Sequence, residues 1–354
     1  MSSHYSRRIH LAQNYISQHF EDEIVLADVA KAAHLSPYHF HRVFTACTQE
    51  TPIDFLRRIR VEHAAQLLLV QPPIRLIDIA VRCGFKSQAL LARAFRAHFG
   101  MTASAWRRGA FWQHDGHYWR WKAEGRQQNS KHCKNSQRAQ PVLSTLFQMR
   151  TAEFVAVRQG RQPSYVRALR IEHKAPIQRI FLWQQGIGRE QMLALWQVLL
   201  RWGIAQGWLQ AVIDTPGALG LTPTAPVLLG ISRTVDNPNI TEPTRCRYEA
   251  GFVLPPGLSL SVAQCRCGDN ELLRDELPGG PCVVIDFVGR LADEPLMVEY
   301  FYNVWLPQSD WVLADRPAYL EVPLSNAGQV LHPDMLLETR WCIPVRKRRG
   351  RANE

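Results

Sequence analysis

A chain of 354 residues exceeds one ordinary core and predicts two or three domains. With 46% hydrophobic and 21% charged residues, no apolar run of membrane-spanning length and no signal-peptide pattern after Met1, it is expected to be a soluble cytoplasmic protein without a membrane partner. The net charge of +11 is uneven: residues 1–140 carry 20 Lys/Arg against 10 Asp/Glu, whereas residues 141–345 carry 17 against 20, so nucleic acid is the expected partner of the N-terminal part.

The first predicted element is an amphipathic helix with Ile9, Ala12, Ile16 and Phe20 on one face. The segment Leu26-Ala-Asp-Val-Ala-Lys-Ala-Ala-His-Leu35 then recurs 50 residues later as Leu76-Ile-Asp-Ile-Ala-Val-Arg-Cys-Gly-Phe85, which marks a duplication. Behind each copy a cap opens a second helix. Ser36-Pro37 precedes Phe40, Arg42 and Phe44, and Ser87 precedes Leu91, Arg93 and Phe95. His34 and Gly84 occupy the tight turns, where a positive φ is needed. Helix, turn and helix repeated twice predict two helix-turn-helix units. A bridging helix after Thr51-Pro52, carrying Leu56, Ile59, Ala64, Leu67 and Leu68, separates them.

These residues resemble the AraC/XylS family of transcription regulators from about Arg7 to Arg108. The most specific stretch is Ile79-Ala80-x-x-Cys83-Gly84-Phe85-x-Ser87-Gln88, continued by Arg93-Ala94-Phe95-Arg96 and Phe99-Gly100-Met101-Thr102. Leu91 and Ala103 depart from the family's usual Phe and Pro. The resemblance implies an all-α, seven-helix DNA-binding domain. It places base-reading positions on Tyr38, His41 and Arg42 in the first recognition helix, and on Gln88, Ala89, Ala92 and Arg93 in the second. Arg can bond guanine twice and Gln adenine twice, whereas the two alanines offer only apolar contact, so the second helix is expected to read fewer bases. A phosphate clamp or an internal salt bridge is the alternative for Arg42 and Arg93. Phe40, Phe44, Phe95 and Phe99 are expected in the core.

Residues 111–164 form a basic, aromatic linker with Trp112, Tyr118, Trp119 and Trp121 among Arg120, Lys122, Lys131 and Lys134. A helix extension and solvated tether is preferred there over stacking on nucleic acid. A strand is predicted over Glu153–Val157. Beyond residue 165, strands are expected at Leu169–His173 and Ile180–Trp183, a helix at Glu190–Ile204, and strands at Val227–Ser232 and Tyr248–Leu254. The order repeats, with strands at Leu258–Gln264 and Val283–Phe287, a helix at Leu296–Trp305, and strands at Tyr319–Val322 and Leu337–Ile343. Two such α+β units would pack side by side around one groove.

This half resembles the GyrI-like effector-binding domain fused to AraC-type units in Rob-like regulators. The resemblance rests on Asp236-Asn-Pro with Cys246-Arg-Tyr248, Leu277-Pro-Gly-Gly280, Trp305-Leu-Pro-x-Ser309 and Asp315-Arg-Pro317. It implies a small-molecule pocket with an inward glutamate, here Glu321, and aromatic walls for which Trp183, Tyr248 and Tyr302 are candidates. Three residues separate Pro317 from Glu321 where the family has two. A one-residue shift turns a strand's side chains to the other face, so the pocket and the surface both stay open for Glu321.

The whole is expected to be multidomain: an N-terminal all-α double helix-turn-helix domain at 1–110, the linker, a C-terminal α+β GyrI-like domain of two similar units at 165–345, and a basic tail at 346–354. The reading is of a sequence-specific transcription regulator sensing an amphipathic or cationic molecule. Its partners would be double-stranded DNA, RNA polymerase and the small-molecule effector. A DNA-associated protein-interaction or gyrase-modulating protein, or a GyrI-like hydrolase with Glu321 as general base, is the alternative. The eight cysteines are scattered and read as free thiols, Cys282 lacks the histidine an alkyl acceptor needs, and neither His39-x-His41 nor Cys265-x-Cys267 forms a metal set. No catalytic residue, cofactor or metal is expected.

Overall fold

The structure, a computed structural model, describes residues 3–69, 73–108, 153 and 155–348, apart from 215–217, 224–228, 239, 256, 259, 262–263, 269, 291–292, 315 and 324–335. The linker aromatics Trp112, Tyr118, Trp119 and Trp121, and the tail beyond 348, lie outside the described residues. The chain divides into two units: one of residues 1–117 with 237–245, the other of 118–236 with 246–354. No helix of the described residues is long and apolar enough to cross a membrane.

The first unit is helical. Its elements are α1 (Ser3–His19), α2 (Leu26–Ala32), α3 (Pro37–Thr48), α4 (Pro52–Leu67), α5 (Leu76–Arg82), α6 (Gln88–Phe99) and α7 (Ala103–Arg107). Ile9, Ala12 and Ile16 of α1 are buried, while Phe20 is only half-buried. Phe40, Phe44 and Phe55 stack in a row around the first helix pair, and Phe95, Phe99 and Trp106 around the second. The buried face of α4 differs from the expected one. Phe55, Val61, Ala64, Ala65 and Leu68 are buried, whereas Leu56, Ile59 and Leu67 are half-exposed. The face is turned because Arg58 and Glu62, which apolar periodicity counts as surface, occupy buried positions on it.

The second unit is built on one antiparallel sheet. Its strands are β1 (Val166–Lys174), β2 (Ile177–Gln185), β3 (Leu209–Asp214), β4 (Ala218–Pro223), β5 (Leu229–Thr234), β6 (Arg247–Val253), β7 (Arg266–Cys267), β8 (Asn270–Glu271), β9 (Leu273–Leu277), β10 (Gly280–Gly289), β11 (Trp311–Leu313), β12 (Tyr319–Pro323) and β13 (Leu337–Lys347). Helix α8 (Arg189–Ala205) follows β2, and α9 (Glu294–Tyr300), continued by a π-helical turn over Phe301–Trp305, follows β10. Two strand expectations fail. The described residues at 153 and 155–158 are helical, and no strand runs through the described residues of 258–264.

The main sheet is ordered β1-β10-β13-β12-β5-β6-β2-β9, with β11 on β13. It contains two similar halves, β2-α8-β5-β6 and β10-α9-β12-β13, joined where β12 pairs with β5. The linkers force this sheet to roll. Only Ala175 and Pro176 join β1 to β2, yet those strands stand six places apart, about 29 Å in a flat sheet, and two residues reach about 11 Å. Pro278 and Gly279 join β9 to β10 across the same gap, and the two turns touch. A Cβ at Gly279 would fall 2.7 Å from the Lys174 carbonyl oxygen, so only glycine fits. The helices lie on the outer face. Trp196 and Leu199 of α8 pack with Ile180, Leu182, Ala250 and Phe252, and Met297 and Phe301 pack with Val283, Ile285 and Phe287. The inner face buries a separate cluster of Ile231, Leu277, Cys282, Val284, Tyr319 and Cys342.

Candidate functional sites

The two recognition helices are α3 and α6, and the turns before them hold His34 at φ 53° and Gly84 at φ 69°. Their starts differ. The Ser87 hydroxyl accepts a bond from the Leu90 amide, whereas Ser36 stands at the cap position without bonding through its side chain and leaves Pro37 to set the first turn. With Phe40, Phe44, Leu91, Phe95 and Phe99 turned inward, the opposite faces carry the residues expected to read DNA. Tyr38, Arg42, Gln88, Ala89, Ala92 and Arg93 are exposed and His41 is half-buried. The Arg42 guanidinium lies 5.9 Å from the centre of the Tyr38 ring. Among the described residues neither Arg42 nor Arg93 forms an ion pair.

Behind these helices lies a buried charge cluster that sequence reading missed. Arg58 of α4 bonds Glu50 through Nη2 at 2.7 Å and Glu62 through Nη1 at 3.2 Å, and its guanidinium packs on Phe55. Glu50 follows α3, and Glu62 also lies 3.7 Å from His98 on α6. Glu62 further accepts a 2.8 Å bond from the Thr241 hydroxyl, and Glu50 pairs with Arg245 at 3.3 Å.

In the second unit, strand alternation decides which candidates meet. Tyr319, Glu321 and Ile231 share the inner face, because β12 pairs with β13 and β5 in unbroken register. Glu321 is therefore buried and inward, and Leu320 takes the outer face. Trp183 also faces inward, since its neighbours Leu182 and Ile180 pack under α8. Tyr248 does not join them. It lies on the outer face, where its hydroxyl accepts a 2.9 Å bond from the Trp196 indole and burial raises its phenol above the ordinary range. Tyr302 is on the π-helical turn and 38% exposed. The four proposed ligand residues thus split into an inward pair, Trp183 and Glu321, and an outward pair, Tyr248 and Tyr302.

Inside the roll Glu321 is not alone. Lys174 Nζ donates to its Oε1 at 3.0 Å and also reaches Glu172 at 3.1 Å, with Arg340 3.8 Å away. Burial works against the Lys174 ammonium, but the carboxylates of Glu321 and Glu172 outweigh it and hold its pKa above the usual lysine value. Along the same face Arg179 stacks on Phe181 and pairs with Glu249 at 2.7 Å and Asp275 at 2.6 Å, while Arg233 also bonds Glu249. Burial raises the Cys282 and Cys342 thiols and, with the neighbouring thiols and Glu321, the Tyr319 phenol, so all three stay protonated near neutral pH. Lys174 and Tyr319 were not foreseen. A lysine two residues before a Pro carries no sign that its strand ends beside Glu321.

A duplicated helix-turn-helix unit and a rolled sheet with a charged inner face define a DNA-binding protein with a second, small-molecule domain. The comparisons with known proteins agree. Residues 29–109 match the helix-turn-helix domain family and residues 168–346, half of the chain, match the GyrI-like small molecule binding domain family. The chain belongs to the AraC-type regulators that carry a GyrI-like domain. Among curated relatives, it is 30% identical over 102 residues to the bifunctional transcriptional activator/DNA repair enzyme AdaA of Bacillus subtilis, covering 29% of this chain and 48% of that protein. It is 34% identical over 93 residues to the probable transcriptional regulator LumQ of Photobacterium leiognathi, covering 26% and 37%. The regulatory protein SoxS of Escherichia coli is 33% identical over 94 residues, 26% of this chain and 86% of SoxS. The chain thus spans about half or less of AdaA and LumQ. The C-terminal domain of AraT, a response regulator from Geobacillus stearothermophilus, aligns at 31% identity over 30% of this chain and 88% of that one, with a TM-score of 0.28.

Proposed function

We propose that the chain is a sequence-specific transcription regulator that reads an asymmetric DNA site through two adjacent major-groove segments. The carrying observation is the pair of recognition helices whose exposed faces present Tyr38, His41, Arg42, Gln88 and Arg93, the two arginines without internal ion pairs among the described residues. Arg42 and Gln88 suit bidentate bonds to guanine and adenine, and Arg93 a further guanine or phosphate. A monomer carrying both helices protects two segments about one helical turn, roughly 34 Å, apart. Footprinting on a site selected from random DNA tests this, and protection of a single groove or an obligate palindrome would overturn it. RNA polymerase as partner and the cytoplasm as location belong to the same proposal.

The GyrI-like domain takes an effector inside the roll, beside Glu321, Trp183 and Tyr319. Because Lys174 already holds Glu321, a cationic ligand must displace that ammonium. Charge alone therefore contributes less than an unpaired carboxylate would, and the apolar cluster carries more of the binding. Titration of the full chain with a hydrophobic organic cation and its neutral isostere, followed by Trp fluorescence, tests this. Absence of any shift for both, across a broad set of such pairs, would make the domain a protein-interaction module instead. Lys174, held on Glu321 at 3.0 Å, occupies the carboxylate that would have to serve as general base, which favours binding over hydrolysis.

A further inference from the structure

The helical unit contains one segment from far along the chain. Residues 237–245 cluster with residues 1–117, although they follow β5 and precede β6. The neck of this excursion is fixed by Asp236, which accepts from the Arg247 amide at 2.7 Å and from the Arg247 guanidinium at 2.9 and 2.7 Å. Ile240 is buried in one cluster with Leu91, Phe95, Phe99 and Trp106. Thr241 is buried as well, and its hydroxyl donates to Glu62. Arg245 adds a second cation to Glu50.

These contacts meet the charge cluster where it links the two reading helices. Glu50 closes α3, Arg58 and Glu62 lie on the bridge α4, and His98 stands on α6. Within the helices Arg58 and, at a longer distance, His98 face the two buried carboxylates, and a buried polar network fixes one arrangement more firmly as each of its members gains donors. Thr241 and Arg245 supply the further donors, one on each carboxylate, and Ile240 wedges the loop against the core of the second helix pair.

We propose that residues 237–245 are part of the DNA-reading unit and act as a positioning element that fixes the spacing between the two recognition helices. Thr241 and Arg245 are positioning residues; they lock Glu62 and Glu50 onto Arg58 and so set α6 relative to α3. The proposal rests on the two-groove reading above. A rigid reader is strict about the distance between its half-sites, and a loosened one is not.

The experiment uses the full chain, a duplex that the wild type selects from random sequence, and the same duplex with one base pair inserted between the protected segments. The wild type is expected to bind the inserted duplex about 30-fold more weakly, the scale of losing one or two base contacts. In Thr241→Val and Arg245→Gln that ratio falls below about 5-fold, while Thr241→Ser, which keeps the hydroxyl, retains the wild-type ratio. Equal weakening on both duplexes, an unchanged ratio in the variants, or a Thr241→Ser variant that behaves like Thr241→Val each overturns the proposal. A wild-type footprint confined to one groove overturns the two-groove reading itself and is seen before any variant is made.

Discussion

The two helix-turn-helix copies arise from one repeated pattern, and their differences show which parts of the motif are set by chain geometry and which by neighbours. Both turns demand a residue at positive φ, yet one uses His34 and the other Gly84. His34 is exposed, and its turn is reinforced by the Arg8 guanidinium, which donates to the His34 carbonyl at 2.9 Å. Gly84 lies against the turn after α1, where a Cβ would stand 2.7 Å from the Phe20 carbonyl oxygen and 2.8 Å from that of Glu21. Arg60 holds that turn in place by donating to the Phe20 and Asp22 carbonyls. The first turn therefore tolerates a side chain that the second excludes. The caps reverse the contrast, since Ser87 bonds its helix and Ser36 does not.

The largest expected effect follows from that crowding. Gly84→Ala adds left-handed strain and a backbone clash that Arg60 prevents from relaxing, and should cost about 3 kcal/mol of stability. Urea unfolding of the full chain, read at the helical transition, measures it. A cost below about 1 kcal/mol would mean that the Phe20–Asp22 turn gives way and that the copies differ less than their geometry shows.

A second contrast concerns reading. Arg42 has Tyr38 beneath it and an exposed helix face, and Arg42→Ala should cost about 2 kcal/mol on the selected site and little on random DNA. On the second helix Ala89 and Ala92 offer no side-chain hydrogen bonds, so Gln88→Ala and Arg93→Ala together should leave the second half-site almost unread. Binding isotherms on both duplexes separate the roles. Equal losses on selected and random DNA would make Arg42 a phosphate clamp.

Caps give the next smaller difference. Ser87→Ala should cost about 1 kcal/mol through loss of the bond to the Leu90 amide, whereas Ser36→Ala should cost only a few tenths, because Pro37 already presets the first turn of α3. Thermal unfolding of the two variants side by side checks this, and equal losses would show that Ser36 caps its helix in solution.

Much of the helical unit was legible because local rules agree there: duplication, cap, turn residue and 3.6-residue periodicity all point to the same helices. What failed was the face of α4, since periodicity assigns Arg58 and Glu62 to solvent and only their three-dimensional partners make burial tolerable. In the sheet unit most strands were legible one by one, and the reading of two similar halves holds, but their arrangement was not. β1 and β2 are adjacent in the chain yet six places apart in the sheet, so no local signal reveals the roll or brings Lys174 to Glu321. Alternation alone says that Tyr248 and Glu249 face opposite ways; it does not say which way is in. Alternation therefore leaves open that Tyr248 packs on the outer face with Trp196 while Tyr319 joins the inner cluster.

The smallest prediction returns to the first turn. His34 holds φ 53° with an exposed side chain, so its ring does little to relieve the left-handed strain, and glycine removes that strain while adding disorder to the unfolded chain. The first effect is about 1 kcal/mol and the second is somewhat smaller, so His34→Gly should stabilise the helical unit by about 0.5 kcal/mol. The backbone bond from Arg8 to the residue 34 carbonyl survives the change, which keeps the comparison to strain alone. Combined with Gly84→Ala, the two substitutions exchange the turn types of the copies, and their effects should add because the sites lie in separate turns. Urea unfolding of the single and double variants measures both terms. If His34→Gly instead destabilises the protein, the histidine ring has a stabilising role, and the first turn depends on its own residue as strictly as the second depends on Gly84.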